Sequence, residues 1–187
     1  MIEDNPLAVL VCGGDSPEIA HAPVLLNRDR GPHGELLFHL SRANSVAPRL
    51  AAGCAVTAVI NGPDGYVSAA WYEEPTVQVP TWNYIAIHLS GTVRAATSDE
   101  LSDLLRKLAA RYEPRDGGWH AAMLAPERRD AMLSAIQGFV LPVDRLEAKF
   151  KLSQNRSRAD RERVRQNLIR RNERRDLDLV EWMSTLE

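Results

Sequence analysis

Two stretches of the sequence combine aromatic, basic and hydroxyl side chains at spacings that suit ligand binding. The first, residues 79–84 with the sequence VPTWNY, runs into an alternating apolar segment. Pro80 marks a strand entrance, and the alternation after it predicts a half-buried β-strand. On that strand Trp82 and Tyr84 share one face and Asn83 lies opposite, so the two rings can stack on a planar ligand. The alternative is that both rings belong to the core.

The second stretch, residues 149–156, has the sequence KFKLSQNR. Lys149 and Lys151 lie two positions apart, so an extended backbone aims both ammonium groups to one side. Each lysine taken alone is an ordinary surface charge. Together they offer positive charge to an anionic ligand.

A third group follows a predicted strand into a short loop and a helix start: His39, Ser41, Arg42 and Asn44. Guanidinium, hydroxyl and backbone N–H groups in such a place are suitable partners for a phosphate monoester. Together with the aromatic platform, this group predicts a site for a phosphorylated planar cofactor.

Other common kinds of chemistry have no motif in this sequence. The five histidines form no HExxH or similar pattern, and Cys12 and Cys54 form no CxxC pair, so no metal site is predicted. The two cysteines sit among apolar neighbours and are predicted to be small core side chains without a disulfide. No nucleophile elbow, Rossmann fingerprint or Walker-type loop occurs, so nothing indicates a hydrolase or a standard nucleotide-binding domain.

The composition is that of a globular protein. Its 187 residues, 44% of them hydrophobic, suffice for one domain with a proper core. No apolar run reaches the roughly 18 residues of a membrane span, so no membrane partner is expected. The acidic start lacks the positive region of a secretory signal, and a reducing cytoplasm fits the cysteine usage best.

The net charge of −2 hides an asymmetry. Residues 145–175 carry 12 Lys and Arg against 4 Asp and Glu, whereas the remaining residues carry 11 against 21. The basic segment Arg156 to Arg175 offers a contact surface for DNA or another phosphate-bearing ligand. Because Asp160, Glu162 and Glu173 interleave with the arginines, a solvated helix face with internal salt bridges is the favoured interpretation.

Hydrophobic patterning predicts strands first and helices last. The predicted strands are 7–12, 18–26, 36–40, 56–60, 66–72, 82–95 and 136–146, with 61–65 (NGPDG) as a hairpin turn between the fourth and the fifth. The predicted helices are 45–52, one that opens at Ser98, 128–133, 157–171 and 176–186. Closely spaced strands with few helices between them indicate an antiparallel barrel with helices at its sides and end.

The motifs, taken in order, resemble those of the PaiB-like family, described as FMN-binding negative transcriptional regulators with a split-barrel fold related to pyridoxamine-phosphate oxidases. Five segments carry the resemblance: HAP at 21–23, HLSRAN at 39–44, GP at 62–63 with YVSAAWY at 66–72, VPTWNY at 79–84 with His88 and Gly91, and KFKLSQNR at 149–156 with Asp160. The last two are long and rarely arise otherwise. The resemblance covers most of the chain.

The sequence also departs from the family pattern. The usual lead-in before the first strand is missing, and Asp64, Ala69 and Ala148 stand where a histidine, a proline and a glycine are usual. If the lead-in helps to cover the cofactor or the dimer seam, retention of the cofactor is expected to be weaker in this chain.

The resemblance implies a mainly β, α+β fold: an antiparallel split β-barrel of the FMN-binding type with peripheral helices and a helical C-terminus. It predicts a barrel domain over residues 1–155 and a helical extension over 156–187, packed on the barrel or on the dimer partner. It further implies a homodimer with FMN in the groove between the protomers. The implied cofactor-binding residues are His39, Ser41, Arg42, Asn44, Tyr66, Trp82, Tyr84, His88, Lys149 and Lys151.

These residues have different implied roles. Arg42 and Ser41, with Lys149 or Lys151, would hold the phosphate. Trp82 and Tyr84 would wall the isoalloxazine or complete the dimer seam, with Tyr66 or Trp71 contributing from the neighbouring strand. His39 and His88 are polar candidates near the cofactor, and each has the alternative role of a satisfied core histidine.

Three functions stay open. The first is a cytoplasmic FMN-binding regulator that acts as a homodimer. The second is a flavin-dependent oxidoreductase with an indirect regulatory effect; it needs no catalytic base from the protein, because a flavin supplies its own redox chemistry. The third is a DNA-binding repressor that uses the basic segment, and it ranks last because no recognition-helix unit is evident.

Overall fold

The computed structural model describes residues 1–185 of the chain. Along these residues lie nine strands and five α-helices: β1 Leu7–Cys12, β2 Glu18–Pro23, β3 Leu25–Asn27, β4 Glu35–Ser41, α1 Ala47–Ala51, β5 Ala55–Val67, β6 Thr81–Thr92, β7 Arg94–Ala95, α2 Ser98–Tyr112, α3 Pro126–Ser134, β8 Ile136–Pro142, β9 Arg145–Lys151, α4 Arg158–Arg171 and α5 Asp176–Ser184. Three short 3₁₀ turns lie at Ala69–Trp71, Pro75–Val77 and Ala121–Met123.

The strands form two sheets. One has five strands in the order β2-β1-β5-β6-β9, and the other has four in the order β3-β4-β8-β7. The pairs of β1 with β2 and with β5, and of β4 with β3 and with β8, are antiparallel. The predicted α+β fold, dominated by antiparallel sheets with helices added, is confirmed.

The chain divides into two compact units. The first consists of residues 1–60 and 88–147, and the second of residues 61–87 with the described residues from 148 onward. The predicted domain boundary at residue 155 stays a prediction.

The core of the first unit is built on β4 and β8, which pair over their full lengths. Phe38 of β4 and Phe139 of β8 are fully buried and stack with ring centroids 5.4 Å apart. Leu36 and Leu40 lie on the same side of β4 as Phe38 and are also buried. Each buried side chain of this size contributes about 1.5–3 kcal/mol to folding, so this pairing is a main source of stability.

Helix α2 covers the opposite face of the same strands. Its one buried residue, Leu104, packs against Leu37 of β4 and Val140 of β8. The leucine spacing predicted this helix from Ser98 onward, and α2 begins at that residue. The prediction is confirmed. The helix forms here because its apolar stripe packs on an apolar face of the sheet.

A capping box closes the start of α2. The Thr97 side chain accepts a hydrogen bond from the Glu100 N–H at 3.2 Å, and the Glu100 carboxylate accepts one from the Thr97 N–H at 2.8 Å. Arg94 donates two further hydrogen bonds to that carboxylate, at 2.8 and 2.6 Å. The Glu100 carboxylate therefore caps the start of the helix and also forms an ion pair with Arg94 of the preceding strand β7.

The second unit holds the two C-terminal helices. Val164 and Leu168 of α4 and Leu179 and Met183 of α5 are buried, whereas Ile169, the third apolar residue of the predicted α4 stripe, is half exposed. The last predicted helix, 176–186, is confirmed to residue 184, and its final residue lies outside the described part of the chain.

The polar face of α4 carries the predicted salt bridges. Arg165 pairs with Glu162 at 2.9 Å, and Arg163 lies 3.7 Å from Glu73. These pairs support the interpretation of a solvated, ion-paired helix face. Within residues 1–185, none of the helices is both long and apolar enough to cross a membrane.

The predicted hairpin at residues 61–65 is wrong. Strand β5 continues through this segment to Val67, and Gly62, Pro63 and Gly65 are buried within it. Neither glycine adopts a positive φ, so the turn chemistry of the sequence is not used. Gly65 serves a close approach instead, since a Cβ there would lie 3.0 Å from the Leu179 side chain.

Three predicted strands are each divided in two. The segment 82–95 splits at Val93 into β6 and β7, which belong to different sheets. The segment 18–26 splits at Val24 into β2 and β3, which belong to different sheets. The segment 136–146 splits after Pro142, where the N–H groups of Val143 and Asp144 leave the ladder and donate to the carbonyls of Gly34 and Ser90. Proline interrupts a strand ladder because it has no N–H to donate.

We expect Glu100→Gln to lower the free energy of unfolding by about 1 kcal/mol near neutral pH. Hydrogen bonds from Arg94, with lesser help from Thr97, lower the pKa of Glu100 from 4.5 to about 2. A carboxyl group with a lowered folded-state pKa stabilises the fold fully above the unfolded value and loses that effect as the pH falls toward the folded value. Urea unfolding should therefore show the difference between wild type and variant shrinking below the unfolded pKa.

Asp99→Asn is the matched control, because Asp99 lies in the same first turn but outside the capping box. Equal losses of stability in both variants would mean that the ion pair with Arg94 contributes nothing beyond the general effect of negative charge at a helix start.

Candidate functional site

The phosphate-type group of the sequence forms one exposed turn at the end of β4 in the first unit. The Ser41 side chain accepts a hydrogen bond from the Ala43 N–H at 3.2 Å, and the Ser41 carbonyl accepts one from the Asn44 N–H at 3.0 Å. The Asn44 side chain accepts from the Val46 N–H at 3.0 Å, next to the start of α1. The structure therefore brings Ser41, Arg42 and Asn44 together, as the sequence predicted.

Arg42 is held by the end of helix α3. Its backbone N–H donates to the Ala135 carbonyl at 2.9 Å, and its Nε donates to the Ser134 carbonyl at 2.9 Å. Capping these carbonyls is a structural role in its own right. The two terminal nitrogens make no hydrogen bond within the described part of the chain, so the exposed end of the guanidinium is available to an anion.

His39 lies on the same side of β4 as Ser41, opposite Gly138 of β8. The ring is half buried, and its Nδ1 is buried without a hydrogen-bond partner among the described residues. Burial lowers the pKa of the His39 imidazole, so the neutral form prevails at neutral pH. His39 does not fit the alternative of a satisfied core histidine, because its buried Nδ1 lacks the partner that a buried polar atom normally has.

An aromatic pair lies in the second unit. Tyr66 and Trp82 meet edge to face with ring centroids 6.0 Å apart. Trp82 is 53% exposed and Tyr66 is 40% exposed, so the alternative that the Trp82 ring belongs to the core is wrong. Tyr84 is half buried on the Trp82 side of β6, and Asn83 points inward with 1% exposure, as the alternation predicted.

The two long motifs bind each other. Three residues of 149–156 form hydrogen bonds with residues of 78–83. Lys151 Nζ donates to Thr81 Oγ1 at 2.5 Å, and Arg156 Nη1 donates to Gln78 Oε1 at 2.6 Å. The Ser153 hydroxyl accepts a hydrogen bond from Asn83 Nδ2 at 3.0 Å and donates one to Asn83 Oδ1 at 3.3 Å. Lys151 is thus engaged by Thr81, and its remaining N–H groups are the ones open to a ligand.

Ser153 is a special position in this arrangement. It is buried, and its φ of 64° lies in the left-handed region that glycine prefers. On one side the Gln154 side chain accepts from the Leu152 N–H at 2.7 Å and donates to the Phe150 carbonyl. On the other side, the guanidinium of Arg156 stacks over the Tyr72 ring at 4.7 Å. Local hydrogen bonds therefore hold a backbone conformation that serine rarely adopts.

Lys149 of β9 and His88 of β6 are exposed, and their side chains make no hydrogen bond or ion pair within residues 1–185. The structure leaves both side chains free, so their predicted roles stay predictions.

Arg171 and its partner Asp176 were not among the residues that the sequence predicted for the site. Asp176 is 2% exposed and accepts hydrogen bonds from Arg171 at 2.8 and 2.6 Å. The same guanidinium donates to the Tyr66 carbonyl at 3.0 Å and lies 5.3 Å from the centre of the Trp71 ring. Arg171 therefore fixes the backbone that carries one ring of the aromatic pair. No signal in the sequence separates it from the solvated arginines around it.

A pocket of about 360 Å³ lies elsewhere in the first unit, lined in part by Val11, Thr57, Ser90, Asp144 and Arg145. It contains none of the predicted site residues. Residues 1–185 hold no cluster of three or more His, Cys, Asp and Glu side chains that could bind a metal ion.

The fold is one that flavin-binding proteins have. The FAD and heme binding protein from Mycobacterium smegmatis superimposes with a TM-score of 0.59 and 21% identity, covering 80% of this chain and 67% of that one. The flavocytochrome Anf3 from Azotobacter vinelandii superimposes with a TM-score of 0.57 and 17% identity, covering 78% of this chain and 62% of that one. At these identities the likeness concerns the fold alone.

The chain belongs to the family described as "Putative FMN-binding domain", whose model matches residues 1–145. It is also 31% identical over 161 residues to the protease synthase and sporulation protein PAI 2 of Bacillus subtilis (strain 168). The aligned residues cover 85% of this chain and 76% of that relative. The predicted membership of the PaiB-like family and FMN as its cofactor are confirmed at the level of the family. The KFKLSQNR motif lies beyond the residues that the family model matches.

We expect Asn83→Ala to lower the free energy of unfolding by about 1–3 kcal/mol, because it leaves the buried Ser153 hydroxyl without its partner. Ser153→Gly removes that hydroxyl and suits the positive φ. The double variant should therefore lose less stability than the sum of the two single variants. Urea unfolding in a double-mutant cycle measures this coupling, and strictly additive losses would show that the pair does not act as a unit.

Proposed function

We propose that the chain binds FMN as a homodimer and acts as a regulator of the PaiB-like type. The single observation that carries the proposal is the exposed, edge-to-face pair of Tyr66 and Trp82. Family membership supports the choice of FMN, and the resemblance to the PaiB-like family, described as negative transcriptional regulators, supports a regulatory role.

The aromatic pair suits an isoalloxazine ring. In an edge-to-face pair, one ring packs only its edge against its neighbour, and its faces stay open for stacking. The contact also limits the motion of both rings, so less conformational entropy is lost when a planar ligand binds. Tyr84, on the same side of β6 as Trp82, is proposed to extend this surface.

The turn at the end of β4 suits a phosphate group. Arg42 supplies two terminal nitrogens, and Ser41 and Asn44 supply side chains on the same turn. His39 has a buried nitrogen without a partner among the described residues, which a polar ligand atom would satisfy. Lys149 and Lys151 are proposed to add positive charge.

Each unit taken by itself offers side chains whose chemistry fits one part of FMN. In the first unit, Arg42 and Ser41 would hold the phosphate, and a neutral His39 would donate or accept one hydrogen bond. In the second unit, Trp82 and Tyr66 would contact the flavin ring. When bound, the flavin supplies the redox chemistry, so none of these side chains is required to act as a base.

The first experiment is a visible absorption spectrum of the purified protein before and after FMN is added and the excess removed. Flavin absorbance that stays with a dimer in light scattering is the expected result. A folded dimer without retained flavin at high micromolar FMN would contradict the proposal.

The regulatory role does not require the basic segment to contact DNA. Arg163, Arg165 and Arg171 of α4 are already ion-paired within the chain, which leaves less of the helix charge for phosphates. Sequence-selective DNA binding that weakens steeply with salt would favour the repressor hypothesis instead. Turnover of bound flavin by a reduced nicotinamide, with a defined acceptor, would favour an oxidoreductase.

We expect Arg42→Ala to weaken FMN binding by roughly ten- to a hundredfold, because a charge-assisted hydrogen bond contributes about 1.5–3 kcal/mol. Riboflavin lacks the phosphate, so its affinity should not change. Flavin fluorescence titrations with both ligands separate a phosphate contact from general damage. Arg30→Ala, at an exposed arginine of the first unit, is the matched control. An equal loss for both ligands would rule out a phosphate role for Arg42.

We expect Trp82→Ala to weaken FMN and riboflavin alike, by roughly three- to tenfold, because ring stacking contributes about 0.5–1.5 kcal/mol and both ligands share the ring. Trp119→Ala is the matched control, since Trp119 is 47% exposed and lies outside the aromatic pair. Quenching of tryptophan fluorescence by bound flavin should also fall in the Trp82 variant. Unchanged affinity and unchanged quenching would remove Trp82 from the flavin site.

A further inference from the structure

Two thiols of the first unit lie side by side. Cys12 is the last residue of β1, and Cys54 lies directly before β5. Their sulfur atoms are 2.9 Å apart, and neither forms a disulfide. A disulfide bond measures about 2.04 Å, so the two sulfurs have to approach by only about 0.9 Å to form one. The sequence predicted two separate core side chains here, and 42 positions lie between the two residues.

The backbone around the pair can supply that movement. Gly13 and Gly14 follow Cys12, and Gly53, with a φ of 81°, precedes Cys54. Glycine has the widest choice of backbone conformations, so small adjustments on both sides of the pair are cheap. β1 and β5 are already paired, with Cys12 opposite Val56, so a cross-link here would join segments that the fold already holds together.

The two thiols differ in access. Cys12 is 1% exposed, whereas Cys54 is half buried. Burial, with the neighbouring thiol, raises the pKa of Cys12 to about 12, so Cys12 stays protonated at neutral pH. An external oxidant therefore meets Cys54 first, and Cys12 is placed to react second.

We propose that Cys12 and Cys54 are a redox modification site, oxidised to an intramolecular disulfide by small-molecule disulfides such as glutathione disulfide. The Cys54 sulfur, after losing its proton, attacks glutathione disulfide, forms a mixed disulfide and releases one glutathione thiolate. The Cys12 sulfur, after losing its proton, attacks the Cys54 sulfur and releases the second. In total, two protein thiols are oxidised and one glutathione disulfide is reduced to two glutathione molecules.

The oxidised form is a stabilised form of the same fold. A cross-link between residues 42 positions apart restricts the unfolded chain strongly, while the native strands need little rearrangement. Oxidation should therefore raise the melting temperature, and reduction with dithiothreitol should reverse the change. The inference does not rest on flavin binding.

The experiment uses the full-length protein in glutathione buffers of defined ratio, with intact mass and thiol counting as readouts. The wild type is expected to go from two free thiols to none, with a loss of two hydrogen atoms and no added glutathione. Cys12→Ala should instead gain one glutathione at Cys54, and it should need a buffer roughly tenfold more oxidising, because it lacks the intramolecular partner. In Cys54→Ala the remaining thiol, that of the buried Cys12, should stay free and gain no glutathione.

The melting temperature provides a second readout. It should rise on oxidation in the wild type and not in either variant, and Cys12→Ser serves if the alanine variant does not fold. A wild type that keeps a free thiol, or that carries glutathione in place of the internal disulfide, would overturn the proposal. So would oxidation that lowers the melting temperature, because the disulfide would then be incompatible with this fold.

Discussion

The location of the proposed phosphate site depends on one strand pairing, that of β4 with β8. Its register sets Ser41 opposite Ile136, the residue that directly follows helix α3 and its Ala135 cap. The carbonyls at the end of α3 are thereby brought to Arg42, which binds two of them and keeps its terminal nitrogens outward. The Phe38–Phe139 stack protects this register, because a slip of either strand by one residue would turn the core face of that strand outward.

In the second unit, hydrogen bonds between the two long motifs have the corresponding role. Lys151, Ser153 and Arg156 each bind a residue of the segment 78–83. The positions of both motifs are therefore fixed jointly, which gives a physical reason for their length. Many of the polar side chains that the sequence offers to a ligand therefore form hydrogen bonds within the chain instead. The exposed rings of Tyr66 and Trp82 and the terminal nitrogens of Arg42 are the groups left for the proposed binding.

Sequence patterns were most reliable where local chemistry and burial agree. Strand β1, the alternation along β6 and the start of α2 follow directly from apolar spacing and a capping box. The turn predicted for the NGPDG segment is wrong, because burial of its glycines and proline in β5 outweighs their preference for turns. The roles of Arg171 and of the two cysteines depend on partners that are distant in the chain, and spacing alone carries no information about such contacts.

The buried polar pair and the exposed aromatic pair are linked by the geometry of one strand. Because side chains alternate along β6, the hydrogen bonds that hold Asn83 inward also force Trp82 outward. Leaving such a ring uncovered forgoes about 1.5–3 kcal/mol that burial would provide. Tyr66 packs against Trp82 and limits its motion, so a planar ligand that covers the rings would recover much of that energy at a small cost in entropy. This is why the preoriented rings support flavin binding more strongly than the surplus of basic residues does.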